Sequence, residues 1–247
     1  MKTSIVVMTL IGILVISCQK EAVKSTNQKL TLEEISSSRR NNTSTFKIES
    51  VKDIDKNTYK IITIGRQKWI ASNLNTSKYR NGEPIPEMKD PAKWSQLTTG
   101  AWCYYNNDST NYAKYGKLYN WYALNDPRGL APKGWHIPSD AEWINLGTYL
   151  GGDALAGGKM KELGTLNWLS PNEGATNESG FSGLPGGSRD FDSGMFPNVR
   201  LDGSWWSSSI ITNSNNPIIR TLFYDASYLD SWWGRKQNGY SVRCIRD

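Results

Sequence analysis

Residues able to do acid–base, nucleophilic or metal chemistry are few in this chain of 247 residues. It has one histidine, His136, and three cysteines, Cys18, Cys103 and Cys244. His136 stands in an extended stretch just ahead of Pro138. An imidazole in such a place more often holds backbone in position than moves protons. Without a second histidine or a Cys–His spacing, a zinc site has too few ligands. No Gly-x-Ser-x-Gly elbow and no phosphate-cradling glycine loop occurs. Asp190 and Asp192 are two carboxylates in one loop, a common arrangement that does not by itself imply glycosidase chemistry. Oxygen-rich stretches at Asn106-Asn107-Asp108, Asn172-Glu173 and Asn177-Glu178 lack the ligand spacing of an EF-hand, and Asn and Asp in loops mostly build turns. The expectation is a non-enzyme with no catalytic residues, no cofactor and no resident metal. Turnover abolished by His136→Ala would reverse it.

Aromatic side chains are the stronger signal. The chain has eleven tryptophans, and the first is Trp69. Two pairs are adjacent, Trp205-Trp206 and Trp232-Trp233. Neighbours on a strand point to opposite faces, so one ring of each pair can be buried while the other faces solvent. An exposed Trp or Tyr offers a flat apolar face on which a sugar ring can stack. Trp205, Trp206, Tyr224, Tyr228, Trp232 and Trp233 are therefore the candidate ligand-binding residues. The competing reading is that these rings fill the core, as most aromatic area does.

The element best specified by sequence lies around residues 135–150. A short strand, Trp135 to Ile137, runs into Pro138, which has no N–H to give a ladder. Ser139 and Glu142 then have the spacing of a capping box. Trp143, Leu146, Gly147 and Leu150 fall on one helical stripe, and Gly151-Gly152 stops the helix. Strands are expected at 60–64 and 68–74 around a Gly65-Arg66 turn, and at 101–105 and 118–124. A short helix should start at Asp90 or Pro91 and run to Leu97. A second main helix, capped by Asp153, should end near Leu163-Gly164. From Gly164 onward Gly, Asn, Ser and Pro dominate, with short strands near Phe181 and at 205–209, 218–224 and 240–245. The fold class is α+β: two main helices, short antiparallel strands and long loops, which is where binding usually sits.

Three segments differ in composition. Residues 1–17 carry Lys2, an apolar run from Ile5 to Ile16 and a small residue before Cys18, the pattern of a signal peptide. Residues 18–50 are polar and poor in aromatics, a flexible tether. Residues 51–247 hold every tryptophan and form one domain with an adequate core. The chain carries a net charge of +6. Lys2 and the tether account for half of that. The rest is scattered over the domain, which does not indicate nucleic acid as a partner.

Several stretches carry a family resemblance. They are Pro132-Lys133-Gly134-Trp135-His136-Ile137-Pro138-Ser139-Asp140-Ala141-Glu142-Trp143, Gln67-Lys68-Trp69-Ile70-Ala71-Ser72-Asn73-Leu74, Tyr115-Gly116-Lys117-Leu118-Tyr119-Asn120-Trp121-Tyr122-Ala123, Asn177-Glu178-Ser179-Gly180-Phe181 with Leu184-Pro185-Gly186-Gly187, Trp205-Trp206-Ser207-Ser208-Ser209 and Gly239-Tyr240-Ser241-Val242-Arg243-Cys244-Ile245-Arg246-Asp247. Together they resemble the Fibrobacter succinogenes major paralogous domain, common in secreted and lipid-anchored proteins of Bacteroidetes. More remotely the domain resembles the C-type-lectin-like fold that also carries the formylglycine-generating enzymes. Those enzymes depend on a cysteine pair near the end of the domain. Only Cys244 stands there, so their chemistry is not inherited. Val15-Ile16-Ser17-Cys18 resembles a bacterial lipobox, with Cys18 the lipidated residue. Gln19-Lys20-Glu21 resembles the surface-export signal of Bacteroidetes lipoproteins. Family members often carry a cysteine just before the Pro-Lys-Gly-Trp run, where this chain has Ala131. Cys103 and Cys244 are assigned to a disulfide in a compartment that permits one, with two buried free thiols as the alternative.

The functional expectation is a lipid-anchored outer-membrane protein, exposed at the cell surface, whose lectin-like domain binds a glycan or another surface macromolecule. A structural or protein–protein interaction module with no small ligand is the competing expectation.

Overall fold

The computed structural model describes residues 48–247. The signal peptide, Cys18 and nearly all of the tether lie outside the described residues. Among the described residues no helix is long and apolar enough to cross a membrane.

The domain is α+β. Among the described residues ten strands are arranged in three sheets. The largest has the order β1 (Ser50–Lys52), β2 (Thr58–Ile64), β3 (Gln67–Ile70), β10 (Ile245–Arg246), β6 (Trp135–His136). Each neighbouring pair in it is antiparallel. β2 and β3 form the expected hairpin, turning at Gly65, whose φ of 61° is in the left-handed region glycine tolerates. The fold begins slightly before the compositional shift: Ser50 pairs with Lys60, and Glu49 bridges Lys68 and Arg246. A two-stranded sheet joins β4 (Trp102–Cys103) to β5 (Leu118–Tyr119). A three-stranded sheet has the order β7 (Asp202–Ile210), β8 (Pro217–Phe223), β9 (Asp230–Trp233).

The segment from Gly239 to Arg246 stitches these sheets together. Gly239 pairs with Arg189, Tyr240 with Tyr119 of β5, Ser241 with Trp205 of β7, and Ile245 with both Trp69 and His136. Between them, Val242 and Cys244 accept from the backbone of Leu74 and Ile70. Sequence alternation makes 240–245 look like one strand. It is a strand only at its end, because it changes partner almost residue by residue.

Helix α1 (Pro91–Ser95) opens as expected, with Asp90 as cap and Pro91 in the first position. The stretch 118–124 is not one strand. After Tyr119, the Asn120 side chain accepts from the Ala123 amide and starts a single helical turn. The short helix α2 (Tyr112–Tyr115) precedes β5, and that turn, Trp121–Leu124, is α3. The central helix α4 (Asp140–Tyr149) has the predicted capping box between Ser139 and Glu142. Its stripe of Trp143, Leu146, Gly147 and Leu150 is buried. The Asp140 carboxylate receives Arg220 of β8, nearly buried, which ties the start of the helix to the three-stranded sheet.

Helix α5 (Asp153–Met160) is capped by Gly152, with no side-chain bond, and not by Asp153. Its Ala-Gly-Gly interior is poor helix-forming sequence. The reason for it is space. A Cβ on Gly157 would lie 2.1 Å from the Tyr228 carbonyl oxygen, and one on Gly158 would lie 2.3 Å from that of Gly174. The backbone of α5 packs directly on two loops, and only glycine permits that approach.

β7 lies between two cores. Trp205 points into the cluster formed by Trp69, Trp143, Leu146, Trp168 and Phe181. Trp206 points into the cluster with Tyr119, Trp121, Trp135 and Ile219. Strand alternation holds, but both faces are covered. The expectation that one ring of this pair faces solvent is therefore corrected.

Candidate functional site

Several polar residues of the family-like stretches, Asn73, Lys117 and Arg243 among them, are buried and committed. Arg243 donates through Nε to Asn73 Oδ1 at 2.8 Å and through Nη1 to the carbonyls of Ile70 and Phe181 at 2.9 and 3.0 Å. Its guanidinium stacks 4.2 Å from the Phe181 ring. Trp205 Nε1 donates to the same Asn73 oxygen at 2.8 Å, and Asn73 Nδ2 donates to Tyr115 O and Ser241 Oγ. Five separate stretches of sequence meet in this one network. Lys161 donates to three carbonyls, of Glu173, Phe223 and Ala226. Lys117 donates to Asn75 O at 2.6 Å and lies over the Trp102 ring. Arg189 donates to Gly194, Met88 and Lys89 carbonyls over Trp94. Burial lowers Lys117 and Lys161 to about 8, partly offset by nearby carboxylates. These cations hold loops by their carbonyls. They present no charge to a ligand.

His136 sits in a clasp. Its Nδ1 lies 2.7 Å from Asp247 Oδ1 and its Nε2 lies 2.8 Å from Glu142 Oε1. With a carboxylate at each nitrogen, both contacts are hydrogen bonds only when the ring is an imidazolium, which has no lone pair to take a proton. Burial of the ring opposes that charge, but the Asp247 and Glu142 contacts outweigh it and raise the pKa above 6.5. Linkage fixes the sign. A raised folded-state pKa adds stability that is fully present below about 6.5 and is lost as pH rises through the folded value. The stability difference between the protein and its His136→Gln variant should thus shrink as pH is raised from 6 to 9. Chemical denaturation at each pH measures it. The pair is partly exposed, so the whole effect should stay under about 1 kcal/mol. A difference that grows with pH contradicts the clasp.

Cys103 and Cys244 are free thiols, both fully buried. The expected disulfide between them is not formed. Cys103 on β4 lies in the cluster around Trp94 and Leu118, whereas Cys244 lies in the cluster with Tyr59 and Ile70. A bridge needs Cα atoms about 4.4–6.8 Å apart, and the two thiols belong to different cores. Burial pushes Cys103 up to about 12 and Cys244 higher still, so neither is a reactive thiolate.

Among the described residues, no three His, Cys, Asp or Glu side chains converge on one point. The oxygen-rich loops use their side chains locally. Asp108 accepts from Thr110, Asn172 donates to Glu162 O and Gly164 O, and Asn177 pairs with Ser182. Asp190 Oδ1 accepts from Asp192 N, Ser193 N and Ser193 Oγ, so that carboxylate builds a turn.

The tryptophans divide cleanly. Nine are buried. Trp232 and Trp233 are 55% and 50% exposed. Both lie on β9, which pairs with β8 on one side and has no strand on its other side among the described residues. Trp232 stands opposite Ile219 and Trp233 opposite Ile218, so the two rings are on opposite faces of an edge strand. Here alternation does not bury either of them. The Arg235 guanidinium lies 5.6 Å from the Trp233 ring and 5.8 Å from that of Phe191, which is also exposed. Tyr228 is exposed with its ring against Phe223. Tyr224 is half-buried against the Trp205 core. Of the six candidate binding residues, then, Trp232, Trp233 and Tyr228 face solvent, while Trp205 and Trp206 are core.

Sequence reasoning missed Arg235 and a cavity lined in part by its neighbour Lys236. β9 runs into the loop 234–238, whose Lys236 carbonyl accepts from Trp121 N at the start of α3. A cavity of about 330 Å³ opens there, lined by Thr98, Thr99, Trp121, Tyr122, Asn125 and Lys236 among others. Asn120 shapes it by accepting from Ala101 N and donating to Thr99 O. The signal available in the sequence was the Trp-Trp-Gly-Arg-Lys run, basic residues directly after an aromatic pair.

Residues 62–246 match the family model of the Fibrobacter succinogenes major domain. No curated protein and no solved structure matches the chain.

Proposed function

The chain belongs to the Fibrobacter succinogenes major domain family, and from that premise we propose a non-catalytic, lipid-anchored cell-surface protein whose domain binds glycan through the exposed β9 strand. The observation that carries this reading is the separation of Trp232 and Trp233 from the other nine tryptophans. Leaving two indole rings half in water forfeits part of the stabilisation that burying them fully would give. Trp233, with Arg235 and the exposed Phe191 beside it, presents an apolar surface of the kind that marks an interaction site, and Trp232 presents a second on the other face of the strand. Indole faces flanked by hydrogen-bonding groups suit sugar rings, which are apolar on their faces and polar at their edges. The domain architecture is of the C-type-lectin-like kind in this reading, supported by an antiparallel sheet that holds both the first and last strands and by long loops.

A second reading rests on a different feature of the same strand. Among the described residues β9 has a free edge, and a free edge can accept a strand from another protein. That would make the domain a protein–protein interaction module. A glycan array probed with the purified protein separates the two. Discrete saccharide hits support glycan binding, and a blank array favours the protein partner. The anchor is tested separately. Cys18→Ala should shift the protein from the membrane to the soluble fraction, and retention in the membrane would remove the lipoprotein assignment.

A further inference from the structure

We propose that Asp202 is a pH-sensitive latch: its neutral carboxyl group holds the loop 187–202 closed at the start of β7, and loss of its proton loosens that loop. The latch goes beyond the glycan reading and does not depend on what β9 binds.

Geometry comes first. Asp202 is 7% exposed, and its Oδ1 has no hydrogen-bond partner. Among the described residues it is the only buried charged side chain left with an orphaned atom. Asp53, equally buried, accepts from Asn57 N on one oxygen and from Asn57 Nδ2 and Tyr59 Oη on the other. Asp202 stands at the base of a loop that closes on itself. Ser188 N donates to Pro197 O at 3.2 Å, and Asp190 N donates to Met195 O at 2.9 Å. Both ends of this loop then bond to the Asp202 backbone. Gly187 N donates to Asp202 O at 3.0 Å, and Asp202 N donates to Asn198 O at 3.1 Å. The cover is tight: a Cβ on Gly187 would lie 2.5 Å from Pro197 O, 2.8 Å from Val199 N and 2.9 Å from the Tyr105 ring.

The surroundings give a charge no compensation. Burial disfavours the carboxylate, and the bonds from the Asn198 and Ser204 side chains oppose burial without overcoming it. Ser204 Oγ is shared with Thr221 of β8, and the residue opposite Asp202 on β8 is Phe223. Tyr105, just after β4, and Tyr240, in the last segment of the chain, are the phenols that feel its charge, and Asp190 adds a second negative charge at Tyr240. No lysine or arginine among the described residues offsets it. A carboxylate with one oxygen unpaired and no cation beside it must be hydrated to ionise. The tight cover at Gly187 means that water comes to Oδ1 by the loop lifting. In the closed form the acid therefore keeps its proton, and burial pushes its pKa from 3.8 up to about 7. The sign follows from linkage. The stability that this raised value contributes is fully present below 3.8 and is lost as pH rises through about 7. The loop also carries Phe191, whose ring lies 5.8 Å from the Arg235 guanidinium beside Trp233, so the latch sits at the root of one wall of the β9 surface.

Asp202→Asn keeps the shape of the side chain and cannot ionise. Thermal melts of both proteins should give a Tm difference, variant minus parent, that grows by about 5 °C or more from pH 5 to pH 8. Limited proteolysis with the cuts located by mass spectrometry reads the loop itself. Cleavage between Met195 and Leu201 in the parent, divided by that in the variant at the same pH, should rise about fivefold or more from pH 6 to pH 8. If the variant does not fold, a carbon-13 titration of the parent's aspartate carboxyl groups replaces it, and one of them should titrate close to neutrality. A Tm difference that stays constant or shrinks as pH rises overturns the proposal. A cleavage ratio that does not change overturns it too, because the charge is then not relieved by the loop. A parent in which every aspartate titrates below pH 5 has the same force.

Discussion

Arg243→Met should cost about 2–4 kcal/mol of folding stability, although it removes a buried charge. Two effects oppose each other. Burial lowers Arg243 from 12.5 to about 9, and at 1.36 kcal/mol per pKa unit the guanidinium carries a burial cost of about 4–5 kcal/mol. Methionine relieves that. It also strands the acceptors the guanidinium now satisfies: Asn73 Oδ1 and the carbonyls of Ile70, Phe181 and Ser182. Each buried unsatisfied group costs about 1–3 kcal/mol, and Phe181 also loses its stacking partner. The stranded acceptors win because there are four of them around a side chain that is only 1% exposed. Arg243→Lys should fall between the two, since one ammonium cannot reach acceptors arranged for a planar fork. Urea denaturation at pH 7 measures all three proteins. A methionine variant within about 0.5 kcal/mol of the parent would show that the network is incidental.

Trp205→Ala should cost about 3–5 kcal/mol, and Trp206→Ala a similar amount, because each leaves a large cavity in a separate core. Trp205 also loses its bond to Asn73, and Trp206 its bond to Tyr119 O at 2.7 Å. Trp232→Ala and Trp233→Ala should each stay within about 1 kcal/mol, as exposed positions usually do. Four thermal melts decide it. A cost at Trp232 or Trp233 comparable to that at Trp205 would mean that β9 is packed against something and is not a free surface.

How much of this was legible depends on the range of the interaction. Local signals read well. The Ser139–Glu142 capping box, the Asp90-Pro91 helix start and the Gly65 turn are each set by residues within a few positions. The stripe of α4 followed from helical period alone. Asn120 was misread for a nearby reason: a run of aromatics suggests a strand, but one Asn side chain caps a helix. The longer-range features were hidden. Alternation gave the two faces of β7 correctly, yet no local rule says that both faces of a strand will be covered. That depends on the last residues of the chain returning between β3 and β6. The same return places Arg243 beside Phe181 and Asn73, far away in sequence. The stretches that reveal the family proved to be its internal scaffold. Trp69, Asn73, Lys117, Phe181, Trp205 and Arg243 are buried in or against the cores. Trp232, Trp233, Arg235 and Lys236 belong to none of those stretches, so the resemblance is silent about the surface proposed to bind.

The most direct test of that surface is one binding isotherm. The Trp232→Ala/Trp233→Ala double variant should melt within a few degrees of the parent protein. Against the saccharide that gives the strongest array signal, it should lose binding by at least about tenfold. A double variant that melts normally and binds that saccharide with the parent's affinity would contradict the account, because the two exposed indoles would then have no part in recognition.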